Sequence, residues 1–402
     1  MCVVIRNLQA VGAALTALPF LISLVRCTSE VDLERRWGND WAFSGVSTFN
    51  HLPYTRCLVN RTQEFDIAII GVPFDSLTTY RSGESLFFGY WTAELIPKGA
   101  REGPKAIRYA SGRSFNPRLN FNPYESWARV VDCGDIPVIP NDPVLALQQM
   151  EEGFVELLSH ETPKDSPWKL PHLVLLGGDH SIVLPMLRAL KYILGEPVAL
   201  LHFDAHIDTL APDSYPRHFW KSEPSKINHG TVFWHAIQEG LLLPGHLVHA
   251  GVHGRISGLH DFTSDDSQGF KRISAEEIDD LGVGAIIENI YSTIGPNVPV
   301  YVSIDIDVLD PAFAPGTGAP ETGGWSSREL MKVMTVLSKL NVIGADIVEV
   351  APSYDSQGGD TAFAAANLAY EVISMMVSNV LEDTSVKEVV GRQPTETCKL
   401  EL

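Results

Sequence analysis

The chain has 402 residues, of which 45% are hydrophobic and 20% charged, and a formal net charge of −19. That composition supplies a large apolar core and argues against a disordered chain, while the acidic balance without a basic stripe argues against nucleic acid as a partner. No internal repeat or low-complexity tract is visible, which argues against a solenoid.

The first residues stand apart. Arg6 precedes an apolar stretch from Leu8 to Val25, Cys27-Thr-Ser29 offers small side chains where a signal peptidase cuts, and no acidic residue occurs before Glu30. Residues 1–29 therefore read as a secretory leader, with a membrane anchor or a mitochondrial presequence as alternatives. The expected location is the secretory pathway or the extracellular space, with mitochondrial or cytoplasmic placement as the alternative, and no stable membrane span is expected after leader removal. Asn60-Arg-Thr62 is an N-glycosylation sequon and favours the secretory route. Cys2, Cys27, Cys57, Cys133 and Cys398 show no framework spacing, so the cysteines alone do not decide the compartment. Residues 30–65 read as an N-terminal arm packed on the core.

From Asp66 onward, apolar strand candidates alternate with helical stretches. The strands are expected at Asp66–Gly71, Arg129–Cys133, His172–Leu176, Val198–Phe203, His246–Val252, Pro299–Ile304 and Val342–Val348. Helices are expected at Pro143–Ser159, Ser181–Leu194, Ser326–Leu340 and Thr361–Leu381. Runs that are almost wholly apolar imply burial on both faces, hence a mainly parallel sheet in a three-layer α/β/α sandwich. One domain, residues 66–381, follows from this pattern, and residues 382–402 read as a flexible tail.

Three polar clusters close these apolar runs: Gly177-Gly-Asp-His-Ser181, Asp204-Ala-His-Ile-Asp208 and Asp305-Ile-Asp307. Alternate residues of an extended segment share a face, so Asp204, His206 and Asp208 can converge, as can Asp305 and Asp307. Taken singly, each cluster fits a hydrogen-bonded turn equally well. Together with His180 they form a hard, oxygen-rich set with some imidazole and no thiolate, which suits Mn²⁺ better than structural zinc. Two such ions about 3.5–4 Å apart can activate a shared water. Asp204 and Asp305 are the natural bridging carboxylates.

These clusters, with His229-Gly-Thr231, the run from Ser303 to Gly324 and Asp346-Ile-Val-Glu-Val350, resemble the ureohydrolase family of arginases, agmatinases and guanidinobutyrases, most closely its agmatinase-like branch. The resemblance spans roughly residues 66–381 and implies an arginase-like fold, usually assembled as a homo-oligomer, a trimer or hexamer. It implies one manganese on His180, Asp204, Asp208 and Asp305 and a second on Asp204, His206, Asp305 and Asp307. Glu349 resembles the family's guanidinium-binding carboxylate, and His229 its mobile proton-transfer or substrate-contacting histidine. Thr317, in the Gly316-Thr-Gly318 turn, is expected at the substrate, the glycines letting the backbone come close, or the segment is merely a tight turn, and Asp208 is expected to steady the tetrahedral intermediate. Asp179 and Asp310 read as groups that orient ligands, or as turn formers.

The activity so implied is manganese-dependent hydrolysis of a guanidino compound to urea and an amine. Leu210 stands where arginases carry an Asn that helps hold the amino-acid end of arginine, which argues against that substrate. Agmatine, giving putrescine and so polyamine biosynthesis, is the first expectation, because an acidic protein attracts a dication during encounter. Guanidinobutyrate is the alternative, and no motif identifies the residue that meets either tail. A zinc amide hydrolase of the deacetylase type shares the broad fold but needs only one metal, so the complete second set argues against it.

One departure from the family stands out. The family's Tyr-Arg-x-Gly segment runs directly into Ala-Arg-x-Gly-Pro, whereas here Tyr80-Arg-Ser-Gly83 and Ala100-Arg-Glu-Gly-Pro104 are separated by residues 84–99. Codons for Gly83-Glu-Ser85 can contain the donor sequence GTGAGT and the Lys98 codon can end in AG, so the segment reads as a translated retained intron. A genuine inserted lid is the alternative, and an inactive binding or scaffold homologue follows if the insertion blocks the site. Sequencing of transcripts is expected to recover a message lacking these codons, and a complete absence of that message defeats the intron reading.

Overall fold

The computed structural model describes residues 45–80, 99–112, 121–214 and 226–391. The leader, the first part of the arm, most of the 84–99 segment and residues 392–402 lie outside them. Ser47 onward forms one unit.

Eight strands make up a single sheet among the described residues: β1 (Ile67–Gly71), β2 (Val130–Asp135), β3 (His172–Leu176), β4 (Val198–Phe203), β5 (Leu242–Val252), β6 (Lys271–Ser274), β7 (Val300–Asp305) and β8 (Val342–Val348). Their spatial order is β2-β1-β3-β8-β7-β4-β5-β6. Every pairing is parallel. The helices are α1 (Gly103–Ala110), α2 (Pro143–Leu158), α3 (Val183–Leu194), α4 (Val232–Gln238), α5 (Leu259–Ser267), α6 (Glu277–Ile294), α7 (Ser327–Val336) and α8 (Asp360–Gly391).

Alternation along each strand builds two cores, because successive side chains leave opposite faces. Ile67, Ile69, Val174, Leu176, Leu201 and Phe203 pack with α1, α6, α7 and α8. Ala68, Ile70, Leu173, Leu175 and Leu200 pack with α2, α3 and α4 on the other face. The three-layer α/β/α sandwich expected from the sequence is the one observed. Local signals agree with it: Asp142 caps α2, and Ser326 with Glu329 forms a capping box on α7.

The departures have local causes. Strand β6 has no apolar run, because a short edge strand buries only Ile273. Strand β5 starts at Leu242, ahead of the expected His246, and the register slips where Pro244-Gly245 interrupts the pairing. Helix α8 continues to Gly391, beyond the expected start of the tail at 382. Its Asp360–Val380 part is long and apolar enough to cross a membrane, yet most of it is buried against the sheet.

The described part of the arm is tied to the core at several points, among them the Cys57–Cys133 disulfide and a buried ion pair that receives Phe49. Arg108 on α1 meets both oxygens of Asp132 on β2, at 2.8 and 3.0 Å, and Asp135 at 2.6 Å. The same Asp132 Oδ2 accepts the Phe49 N–H at 2.7 Å. Removing one partner of a buried pair leaves an uncompensated charge. Arg108→Ala is therefore expected to destabilise by about 3–5 kcal/mol, read as a lower urea midpoint at unchanged slope. An unaltered midpoint shows that this buried pair does not support the fold.

Candidate active site

Strands β3, β8, β7 and β4 lie side by side at the centre of the sheet. Parallel sheets open their crevice at the carboxyl ends of the strands. His180 follows β3, Glu349 follows β8, Asp305 ends β7 with Asp307 in the 3₁₀ turn beyond it, and Asp204, His206 and Asp208 follow β4.

Asp204 joins two donor groups. Its Oδ2 lies 3.2 Å from His180 Nδ1, and its Oδ1 lies 3.2 Å from His206 Nδ1. Asp208 Oδ2 and Asp305 Oδ2 approach the same His180 nitrogen at 3.0 and 3.5 Å, and Asp307 Oδ2 lies 3.1 Å from His206 Nδ1. All six residues expected as metal ligands thus meet in one place, five of them buried and His206 partly so.

Proton bookkeeping shows that these groups suit cations. Ser303 gives its hydroxyl proton to Asp346 Oδ1 at 2.8 Å, so it accepts from His180 Nε2, also at 2.8 Å. His180 therefore carries a proton on Nε2 and turns Nδ1 toward three carboxylates; burial lowers its pKa, but Asp204, Asp208 and Asp305 overcome it and hold the value well above the ordinary one. That Nδ1 is buried with no hydrogen-bond partner among the described residues. Burial and the neighbouring carboxylates Asp307 and Asp204 push the Asp305 carboxyl well up. Burial, then Asp204, raises Asp307 to about 6. Asp204 stays well below the ordinary range, because His202, His180 and His206 outweigh its burial. A buried cluster of this kind takes up protons or divalent cations, and its oxygen and imidazole donors fit the latter.

Sequence reasoning missed the groups behind the donors. His202 Nε2 holds Asp204 Oδ2 at 2.8 Å, His202 Nδ1 meets His249 Nδ1 at 2.7 Å, and His249 Nε2 meets Asp265 at 3.2 Å. Arg272 closes the chain on Asp265 at 2.6 Å. Burial lowers the His202 pKa to about 4 despite Asp204, so the ring is neutral and orients the carboxylate by one N–H bond. The available signal was a polar residue inside an apolar strand: His202 in Val198–Phe203, and Asp346 in Val342–Val348.

Glu349 and His229 stand beside the donors. Glu349 Oε1 accepts the His180 N–H at 2.9 Å and lies 3.3 Å from His229 Nδ1, while Thr79 Oγ1 lies 2.7 Å from His229 Nε2. Burial lowers the His229 pKa, but Glu349, Asp208 and Asp179 overcome it and push the value up to about 9. The Thr79 N–H aimed at Nε2 from 3.1 Å acts in the opposite sense, since it needs a lone pair there. His229, Glu349, Asp208, His206 and Asp305 line a cleft of about 170 Å³, together with Arg255 from the loop after β5. Asp208 and Glu349 both have positive φ, 51° and 60°, a conformation that side chains other than glycine rarely adopt outside constrained sites.

Three other expected residues land elsewhere. Thr317 is fully buried and pairs with Val350 rather than lining the cleft, and it is Gly318 whose position abuts Glu349 Oε2. Asp310 is a turn former: it accepts from Ala312 and Gly323 N–H groups, and these bonds hold its carboxyl below the usual range. Asp179 does not touch a donor. It accepts from Leu77 N and Ser181 N, tying the loop that carries Thr79 to the turn that carries His180.

A sequence model of the Arginase family matches residues 92–375. The "Putative agmatinase 1" of Schizosaccharomyces pombe is 43% identical over 357 residues, covering 87% of this chain and 86% of the relative. Guanidinopropionase of Pseudomonas aeruginosa is 35% identical over 339 residues, covering 84% and 93%. The structure of proclavaminate amidinohydrolase from Streptomyces clavuligerus superposes with a TM-score of 0.69 at 31% identity, covering 85% of this chain and all of that one.

Each donor group is expected to lose its ion independently. Asp208→Asn and Asp307→Asn each lower the divalent metal content of the purified, loaded chain from two ions toward one, read by elemental analysis. Retention of both ions in both variants defeats the two-group arrangement.

Proposed function

The chain belongs to the arginase family and is a ureohydrolase of guanidino compounds, and on that premise we propose that it holds two manganese ions and cleaves agmatine to urea and putrescine. The observation that carries this reading is Asp204, whose two oxygens face two separate histidine groups. Carboxylate and imidazole donors without thiolate suit Mn²⁺. His180, Asp204, Asp208 and Asp305 would hold one ion, and Asp204, His206, Asp305 and Asp307 the other. When bound, such a pair supplies Lewis acidity and lowers the pKa of water toward neutrality.

The chain's own groups bind and orient the substrate. Glu349 offers a carboxylate for a two-point pair with the planar guanidinium, and the His180 N–H keeps it from swinging away. Asp208, which also lines the cleft, steadies the tetrahedral intermediate. His229, between Thr79 and Glu349, carries the proton that the departing amine requires when the C–N bond breaks. The net charge of −19 favours encounter with a dication. Assembly into a homo-oligomer, a trimer or hexamer, belongs to the same proposal and is read by the mass of the particle in solution.

A second reading rests on Arg255. This exposed cation lines the cleft and suits a carboxylate tail, as in 4-guanidinobutyrate, better than the ammonium of agmatine. A panel of guanidino compounds incubated with manganese-loaded protein separates the two readings by urea release. Agmatine ahead is the expected order. Guanidinobutyrate ahead, with Arg255→Gln reversing it, promotes the second reading, and no urea from any compound leaves an inactive binding homologue. Glu349→Gln is expected to lower kcat/KM on the best substrate by about 2–5 kcal/mol, roughly 30-fold or more, with metal content unchanged. A loss under threefold removes Glu349 from substrate recognition.

A further inference from the structure

The turn leading into β1 carries features that hydrolysis does not use. Cys57 and Cys133 are joined by a disulfide across a sequence separation of 76, and both are buried. Their pairing releases two electrons and two protons to a disulfide acceptor, and such bonds persist in oxidising compartments rather than in the cytosol. A disulfide thus points to the same compartment as the apolar Leu8–Val25 stretch, by independent chemistry.

Next to this bond stands the sequon Asn60-Arg61-Thr62. Asn60 and Thr62 are both exposed. Thr62 donates to Asn60 Oδ1 from its hydroxyl at 2.8 Å and from its N–H at 3.3 Å. Both bonds fall on the oxygen, and none of the described residues takes the Nδ2. Arg61 holds the turn by pairing with both oxygens of Glu156 at 2.6 Å, near the end of α2. That end, with the Asp66–Arg129 contact, marks the amino edge of the sheet. The donor clusters lie at the carboxyl edge, so a bulky group on Asn60 leaves the cleft open.

We propose that Asn60 carries an N-linked oligosaccharide, added in the oxidising compartment in which Cys57 and Cys133 pair. The donor is a lipid-linked diphospho-oligosaccharide. The Asn60 Nδ2 forms a bond to the anomeric carbon as that carbon's bond to the phosphate oxygen breaks, Nδ2 gives up one proton, and the lipid diphosphate leaves. This inference stands apart from the hydrolase reading, since no group of the cleft takes part in it.

The full chain, produced in a eukaryotic secretory host with its own first thirty residues, tests it. Free thiols are alkylated before reduction, the amidase that releases N-glycans acts in heavy-oxygen water, and the Asn60 and cysteine peptides are read by mass. The expected result is Asn60 converted to heavy Asp, with Cys57 and Cys133 blocked from alkylation until reduction. Thr62→Ala is expected to abolish the conversion and Thr62→Ser, which keeps the hydroxyl, to retain it, with urea release by both equal to the parent. An unconverted Asn60 overturns the glycan whether or not the cysteines are paired. Conversion alongside freely alkylated Cys57 and Cys133 overturns the shared compartment, and conversion that survives Thr62→Ala overturns the assignment to this site.

Discussion

The structure is organised around a repulsion. Asp204, Asp208, Asp305 and Asp307 are buried around the two imidazoles of His180 and His206 at the carboxyl ends of the central strands. Carboxylates so placed cannot all stay ionised without compensating charge. The raised Asp305 and Asp307 carboxyls express that conflict, and the convergence of three carboxylates on His180 Nδ1 marks where a cation resolves it. Association of such a site with a divalent ion then stabilises the fold as well as arming it.

The surrounding protein keeps the conflict from relaxing. Ser303, Asp346 and Tyr301 fix the ring of His180 from one side, while His202, His249, Asp265 and Arg272 fix Asp204 from the other. A carboxylate clamped on both sides cannot rotate away from its neighbours. The glycines of Gly177-Gly178 serve the same end. A side chain at Gly178 would meet the Phe74 carbonyl oxygen at 1.7 Å, so only glycine lets β3 turn its following histidine inward past the loop after β1. The left-handed backbone at Asp208 and Glu349 is a further strain held in place by the packed strands beneath it.

Much of this was legible along the chain, and for a definite reason. Strands buried on both faces must be apolar throughout, so seven of them announce themselves, and the polar residues that end them stand out. The six candidate ligands were visible because metal chemistry demands particular side chains at alternate positions. At Thr317 and Asp310 the sequence left two readings open, because a Gly-Thr-Gly segment and an Asp beside a proline suit an ordinary turn as well as a functional contact, and nothing local separates the two.

Sequence alone therefore determined the layer architecture, the candidate ligands and the class of chemistry they suit, since periodicity and side-chain type are one-dimensional properties. Tertiary structure decided what depends on through-space distance. It brought β3, β8, β7 and β4 together out of chain order, and so set which oxygen of Asp204 faces which histidine. It also joined Cys57 to Cys133 and placed Arg255 at the cleft. Contacts between residues far apart in the chain leave no periodic trace, because the sheet order that creates them is a global outcome of packing.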